Sequence, residues 1–243
     1  MTVQLFVFEM THISAKPPES ADGAARWVRR KESRPGEILD AALALFVEKG
    51  YVATKMEDIA RKAGVTKGTP YLYFANKEEI FKAVIREAIL PNLERAEQLS
   101  RVHAGGAFQL IEQVLSTWWE GIAMTQFCGI CKLVIAEAGN FPDLAQFFYH
   151  EVVERAERLI EGAIQYGIDS GEFRRLDVHY TMRVLFAPAL MSMIWDHSLG
   201  KCEQHPIDKA SFFACYIDFL RHGLAATPLQ QNTNTEEKRH AQS

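Results

Sequence analysis

The stretch Ile59-Ala60-Arg61-Lys62-Ala63-Gly64-Val65-Thr66-Lys67-Gly68 constrains the chain most. It joins two short helical patterns by a turn too tight for most residues. Ala60 is small enough for two helices to cross closely. Gly64 takes a left-handed backbone without a Cβ penalty, Val65 can tuck inward, and Thr66 is a cap for the second helix. This outline is a helix-turn-helix, whose second helix presents its N-terminal end to a major groove.

The flanking residues supply the rest of a small helical unit. Ile38, Leu39, Ala42, Leu45 and Phe46 share one helical face. Pro35 suits the first turn of that helix, and Gly50 suits its left-handed C-cap. Thr54 and Glu57 have the spacing of a capping box for the short helix that buries Met56, Ile59 and Ala60. Asn76 and Glu79 repeat that spacing before a longer helix, expected to bend or stop near Pro91.

Beyond Gly105-Gly106 the spacing predicts helices over 107–125, 129–138, 142–169, 177–198 and 208–224. Pro142 fits a first turn, Gly171 a stop, Asp208 a cap, and Pro188 a kink. No run has the alternation and turn signals of a strand. The fold class is therefore all-α, with an N-terminal three-helix helix-turn-helix domain and a larger C-terminal helical domain. The expected divisions are a flexible extension over 1–33, broken at Lys16-Pro17-Pro18-Glu19-Ser20, a DNA-binding domain over 34–84, a regulatory and dimerisation domain over 85–225, and a disordered tail over 226–243.

Charge is segregated along the chain. Residues 26–82 hold twelve Lys and Arg against eight Asp and Glu, a surplus of +4 within a net charge of −4. A basic segment on an acidic chain points to a polyanion-binding module joined to something else. Chance clustering of surface charge would look the same.

No uninterrupted apolar stretch approaches the length of a membrane span. Met1 to Met10 lacks a basic n-region and carries Glu9, so no signal peptide is expected. Four Cys make no disulfide framework and fit a reducing cytoplasm. Cys128 and Cys131 have C-x-x-C spacing, but no second pair matches them, and they read as small core residues rather than a metal site. No cofactor motif is present. No Ser/His/Asp order, phosphate loop or carboxylate pair suggests an enzyme.

The run from Ile38 to Val84 resembles the DNA-binding domain of the TetR/AcrR family of bacterial transcriptional regulators. The resemblance rests on Phe46 with Gly50-Tyr51, on Gly64-Val65-Thr66-Lys67-Gly68-Thr69, and on Tyr71-Leu72-Tyr73-Phe74 followed by Asn76-Lys77-Glu78-Glu79. Lys132 to Tyr149 more loosely resembles a C-terminal subfamily of the same regulators. The chain departs from the family pattern at Pro70, in a slot usually filled by Leu, Ile or Val. Its missing amide should distort the second helix and alter the geometry of base readout.

The resemblance implies a DNA-contacting set of Thr54, Lys55, Thr66, Lys67, Gly68, Thr69, Tyr71, Tyr73 and Lys77. Thr54 would offer a helix N-terminus to phosphate, and Lys77 would anchor another. Lys67 and Thr69 would reach base edges or phosphate. Leu72 and Phe74 are read as core. Arg26, Arg29, Arg30, Lys31 and Arg34 could form an arm onto DNA or a solvated extension.

In the C-terminal domain, Trp118, Trp119, Phe127, Phe141, Phe148, Met182, Phe186 and Trp195 would wall a pocket for a small hydrophobic effector. The last two helices carry more apolar residues than one monomer needs: Tyr180, Val184, Leu185, Leu190 and Met193 on one, and Phe212, Tyr216 and Phe219 on the other, besides those that follow. Met191, Ile194, Phe213, Ile217 and Leu220 are the residues expected at a homodimer interface. The function this implies is a cytoplasmic, homodimeric, operator-binding repressor released by its effector. A regulator of the same fold governed by a protein partner, or by no ligand, is the alternative.

Overall fold

The computed structural model describes residues 22–204 and 206–226, with side chains from residue 34 onward. The expected breaker at Lys16 to Ser20 and the tail beyond Ala226 lie outside the described residues. The first helix, α1, spans Asp22–Lys49, so it begins well before the expected start near Pro35 and replaces the flexible extension over residues 22–33. Those residues are rich in Ala, Arg, Lys and Glu, which favour helix, but they lack an apolar period. Pro35 removes one backbone donor without ending the helix.

The helix α2 spans Met56–Lys62 and α3 spans Lys77–Ala88. Against α1 they bury Ile38, Ala42, Phe46, Ile59, Ile80, Phe81 and Ile85. The rings of Phe46, Tyr51 and Phe81 meet pairwise with centroids 5.5 to 5.6 Å apart. Each such side chain removed from water contributes about 1.5–3 kcal/mol, which ties three helices into one core. Gly50 and Gly64 take the positive φ values that these helix ends require, +85° and +67°.

The remaining helices are α4 (Leu90–Val102), α5 (Ala107–Trp118), α6 (Cys128–Glu137), α7 (Pro142–Phe148), α8 (Glu154–Asp169), α9 (Val178–Asp196) and α10 (Lys209–Leu224). Pro91 stands in the first turn of α4, so the chain restarts its helix there. Two expected helices carry an internal irregularity. α5 runs into a wide π turn over Trp119–Ala123, and a second one over Tyr149–Val153 joins α7 to α8. Among the described residues the only β pairing is an isolated bridge between Phe173 and Ala225.

α5 packs against α4 and α8, α8 against α9, and α6 against both α9 and α1. Arg155 of α8 grips Glu97 of α4 through two bonds of 2.9 Å. This bidentate pairing holds the Glu97 carboxyl below its ordinary range. At the α6–α1 crossing, a Cβ on Gly129 would stand 2.7 Å from Val47 Cγ1, so only glycine fits that approach. α5 has no cap from its own neighbours. Glu172, 65 positions away, accepts the amides of Ala107 at 2.5 Å and Phe108 at 3.0 Å.

That distant cap gives a stability prediction. Replacing Glu172 by Ala leaves two helix-start amides without their carboxylate, at a cost of about 1 kcal/mol. Thermal melting followed by circular dichroism should show a midpoint lower by roughly 2–4 °C, with Glu172→Gln falling between Ala and the wild type.

Candidate nucleic-acid interface

The region between α2 and α3 is shaped by its two threonines and by Pro70. A full second α-helix does not form. Thr66 caps no helix; its hydroxyl pairs with that of Thr69 at 2.8 Å. The Thr69 amide bonds to the Thr66 carbonyl, and a short 3₁₀ helix follows over Pro70–Leu72. Pro70 opens it, where a missing amide costs little, and is buried. The distortion expected from Pro70 is thus a change of helix type.

This turn displays Thr66, Lys67, Gly68 and Tyr71 to solvent, with Thr69 and Tyr73 half-buried beside them. Lys55 is exposed at the start of α2. Leu72 corrects the sequence reading: it is 80% exposed rather than core, while Phe74 packs inward. Leu72 follows Tyr71 in a three-residue 3₁₀ turn, and an α-helical wheel assigns it the wrong face. Lys67 is not free: its ammonium meets the Glu57 carboxylate at 2.5 Å on the same exposed surface.

Two members of the expected contact set are turned inward. Thr54 is 1% exposed. Its hydroxyl donates to the carbonyls of Gly50 at 2.8 Å and Leu45 at 3.3 Å, so it neither caps α2 nor offers itself to phosphate. Lys55 is the residue at the α2 N-cap, with no side-chain cap bond, so the capping box does not form. The Lys77 ammonium donates to the carbonyls of Tyr51 at 2.5 Å and Thr54 at 2.9 Å, and stands 4.2 Å from the Tyr51 ring centroid. Desolvation pulls its pKa below the usual lysine value. Lys77 clamps the loop before α2 rather than reaching outward. The cap at the start of α3 forms as expected, Asn76 accepting the Glu79 amide at 2.9 Å.

The expected pocket walls make several separate contacts. Trp118 pairs with Phe186, centroids 4.9 Å apart. Trp119 stacks on Phe212 and Phe213 of α10. Trp195 donates to Glu203 at 2.8 Å, Met182 is buried, and Phe127 and Phe148 are half-buried. Phe141 leaves the set altogether, packing edge-on against Tyr51 of the DNA-binding unit at 4.8 Å. The crevice beside it, between Tyr51, Phe81, Leu133 and Glu137, holds about 10 Å³, room for a single water. A groove of about 400 Å³ lies open on α4 and α5 and is walled mainly by polar side chains, including Gln109, Glu112, Gln113 and Glu120.

The expected interface residues also divide. Met191 is exposed, and Ile194 and Leu220 are half-buried. Ile217 is buried within its own chain, and Phe213 is half-buried and lies on Trp119. The exposed apolar face of α9 and α10 comprises Met191 together with Tyr180, Val184 and Phe219, each more than half exposed. Cys128 and Cys131 are buried, with Cys128 Sγ 2.7 Å from His197 Nε2. Among the described residues no three His, Cys, Asp or Glu side chains converge as metal ligands, and no helix is long and apolar enough to cross a membrane.

Residues 38–84 match the family model described as bacterial regulatory proteins, tetR family, and residues 109–210 match that of the AefR-like transcriptional repressor C-terminal domain. The fatty acid metabolism regulator protein of Bacillus subtilis is 31% identical over 159 residues, covering 64% of this chain and 80% of that one. The structure of the ketosteroid transcriptional regulator KstR2 of Mycobacterium tuberculosis superposes with a TM-score of 0.65 at 24% identity, over 80% of this chain and 96% of the other. The B. subtilis FadR structure, solved in complex with stearoyl-CoA, superposes with a TM-score of 0.60 at 24% identity, over 77% and 98%.

The inward role of Lys77 has a measurable consequence without DNA. Replacing Lys77 by Met strands carbonyls that share a charged donor, a loss of about 1.5–3 kcal/mol. The melting midpoint of the free protein should fall by several degrees; an unchanged midpoint would mean that Lys77 holds nothing in the loop.

Proposed function

The chain belongs to the TetR family of bacterial DNA-binding transcriptional regulators, and we propose that it is a cytoplasmic homodimeric repressor whose operator affinity is lowered by a hydrophobic effector. The observation that carries this reading is the exposed turn of Thr66, Lys67, Gly68, Thr69, Tyr71 and Tyr73, held by a buried three-helix core. Lys67 supplies a cation for phosphate or guanine, and Tyr71 supplies a ring for thymine methyls. Lys55 adds charge at the start of α2. The local surplus of basic residues gives salt-dependent attraction to the duplex.

Dimerisation would use the exposed Tyr180, Val184, Met191 and Phe219 face, with Ile194 and Leu220 at its margin. Two copies would set two reading turns at a fixed separation, which the spacing of operator half-sites must match. An effector that favours a different separation lowers DNA affinity, and DNA lowers effector affinity by the same factor.

The effector reading draws on the aromatic residues of α5, α9 and α10. Because the B. subtilis FadR structure carries stearoyl-CoA, long-chain acyl-CoA thioesters are the first class to test. An acyl chain needs a cavity of several hundred Å³, so Trp118 and Phe186, or Trp119 and Phe213, must part to admit it. The packing of these ring pairs against one another favours the second reading, a regulator of the same fold governed by a protein partner.

The test is selection of bound duplexes from a random-sequence pool, followed by titration of stearoyl-CoA onto the complex. A recovered palindromic sequence released by the thioester supports the proposal; release by no acyl-CoA favours the second reading. Lys67→Ala with Tyr71→Ala should lower affinity for the selected duplex by about 30-fold or more, two base contacts at about 1–3 kcal/mol each, while gel filtration still shows a dimer. Val184→Asp with Phe219→Asp should instead give a monomer with an intact fold.

A further inference from the structure

Glu57 stands in the first turn of α2, on the surface that carries the reading turn. α2 buries Met56, Ile59 and Ala60 on one side. Glu57 and Arg61, one turn apart, occupy the opposite side. The Glu57 side chain is 52% exposed and that of Lys67 is 71% exposed, yet the two meet at 2.5 Å. Lys67 belongs to the turn that reads DNA, so the carboxylate lies within one side chain's reach of the bases. Lys67 first, then the charges of Lys55 and Arg61, keeps the Glu57 carboxyl below its ordinary range.

An anion at the centre of a DNA-binding surface weakens binding to every phosphate. It also occupies the one cation that the reading turn carries foremost. Neither effect helps a protein that only needs to hold a polyanion. Both help a protein that must refuse most sequences. In the major groove the base edge that best satisfies a carboxylate is the cytosine N4 amino group, because the adenine N6 amino group lies beside the N7 acceptor. A thymine or guanine edge at that position faces Glu57 with acceptors, while its partner Lys67 is drawn away.

We propose that Glu57 is a specificity-determining residue: its carboxylate withholds Lys67 from non-operator phosphate, and on the operator it accepts from a cytosine amino group in each half-site. The inference rests on the reading of the chain as a sequence-specific regulator.

The experiment is parallel selection from a random duplex pool with wild type, Glu57→Gln and Glu57→Ala. Binding of the wild-type consensus and of a scrambled duplex of equal length is then titrated over salt. Glu57→Gln keeps the side-chain shape and an acceptor oxygen while removing the charge; melting curves confirm that both variants fold. The expected result is tighter binding of the scrambled duplex, with a salt slope steeper by about one released counterion. The ratio of consensus to scrambled affinity should fall by about fivefold or more, and preference for cytosine at one position should fade. Unchanged consensus sequences, with a ratio within twofold of wild type in both variants, overturn the proposal. If the wild type itself enriches no sequence, the regulator reading fails, and the inference falls with it.

Discussion

The DNA-binding unit depends on how one half-buried ammonium is satisfied. Lys77 opens α3, and its donors go to the carbonyls of Tyr51 and Thr54 in the loop between α1 and α2. Thr54 in turn donates back to the end of α1. Loop carbonyls in this position lie beyond helical partners, and burial without donors would cost several kcal/mol. A cation and a hydroxyl replace the missing amides. The start of α3, the end of α1 and the approach to α2 are thereby fixed relative to one another. The reading turn between α2 and α3 inherits that placement.

Much of this was legible in the sequence, because it rests on local rules. Gly50, Gly64 and Gly171 take positive φ where helix ends or a tight turn are expected, Asn76 and Asp208 cap their helices, Pro142 stands in a first turn, and the helix before Pro91 stops at Ala88. The five C-terminal helices lie within a residue or two of their expected starts. What sequence alone misjudged was direction. Thr54 has the spacing of a cap, yet a chain that folds back on α1 offers its hydroxyl stronger partners. Lys77 has the charge of a phosphate anchor, and only the closed loop reveals the carbonyls that occupy it. Leu72 is apolar and was assigned inward, because helical periodicity does not describe a 3₁₀ turn.

The C-terminal domain was legible as helices and illegible as a cavity. Aromatic richness is common to a pocket and to a packed core, and periodicity cannot separate them. The structure spends these rings on one another, Trp118 on Phe186 and Trp119 on Phe213. The two π turns were also invisible, since each inserts one extra residue into an otherwise regular apolar period.

The contact of Gly129 with Val47 carries a mechanical consequence. Side chains between most packed helices act as cushions, absorbing small displacements by rotamer adjustment. At this crossing the cushion is absent on one side: backbone of α6 meets a stiff β-branched side chain of α1. A slide of α6 by more than a few tenths of an ångström is met either by rotation of the half-buried Val47 or by movement of α1. The crossing thereby couples the two domains. It would be silenced by loosening Val47 rather than by any change at the DNA surface.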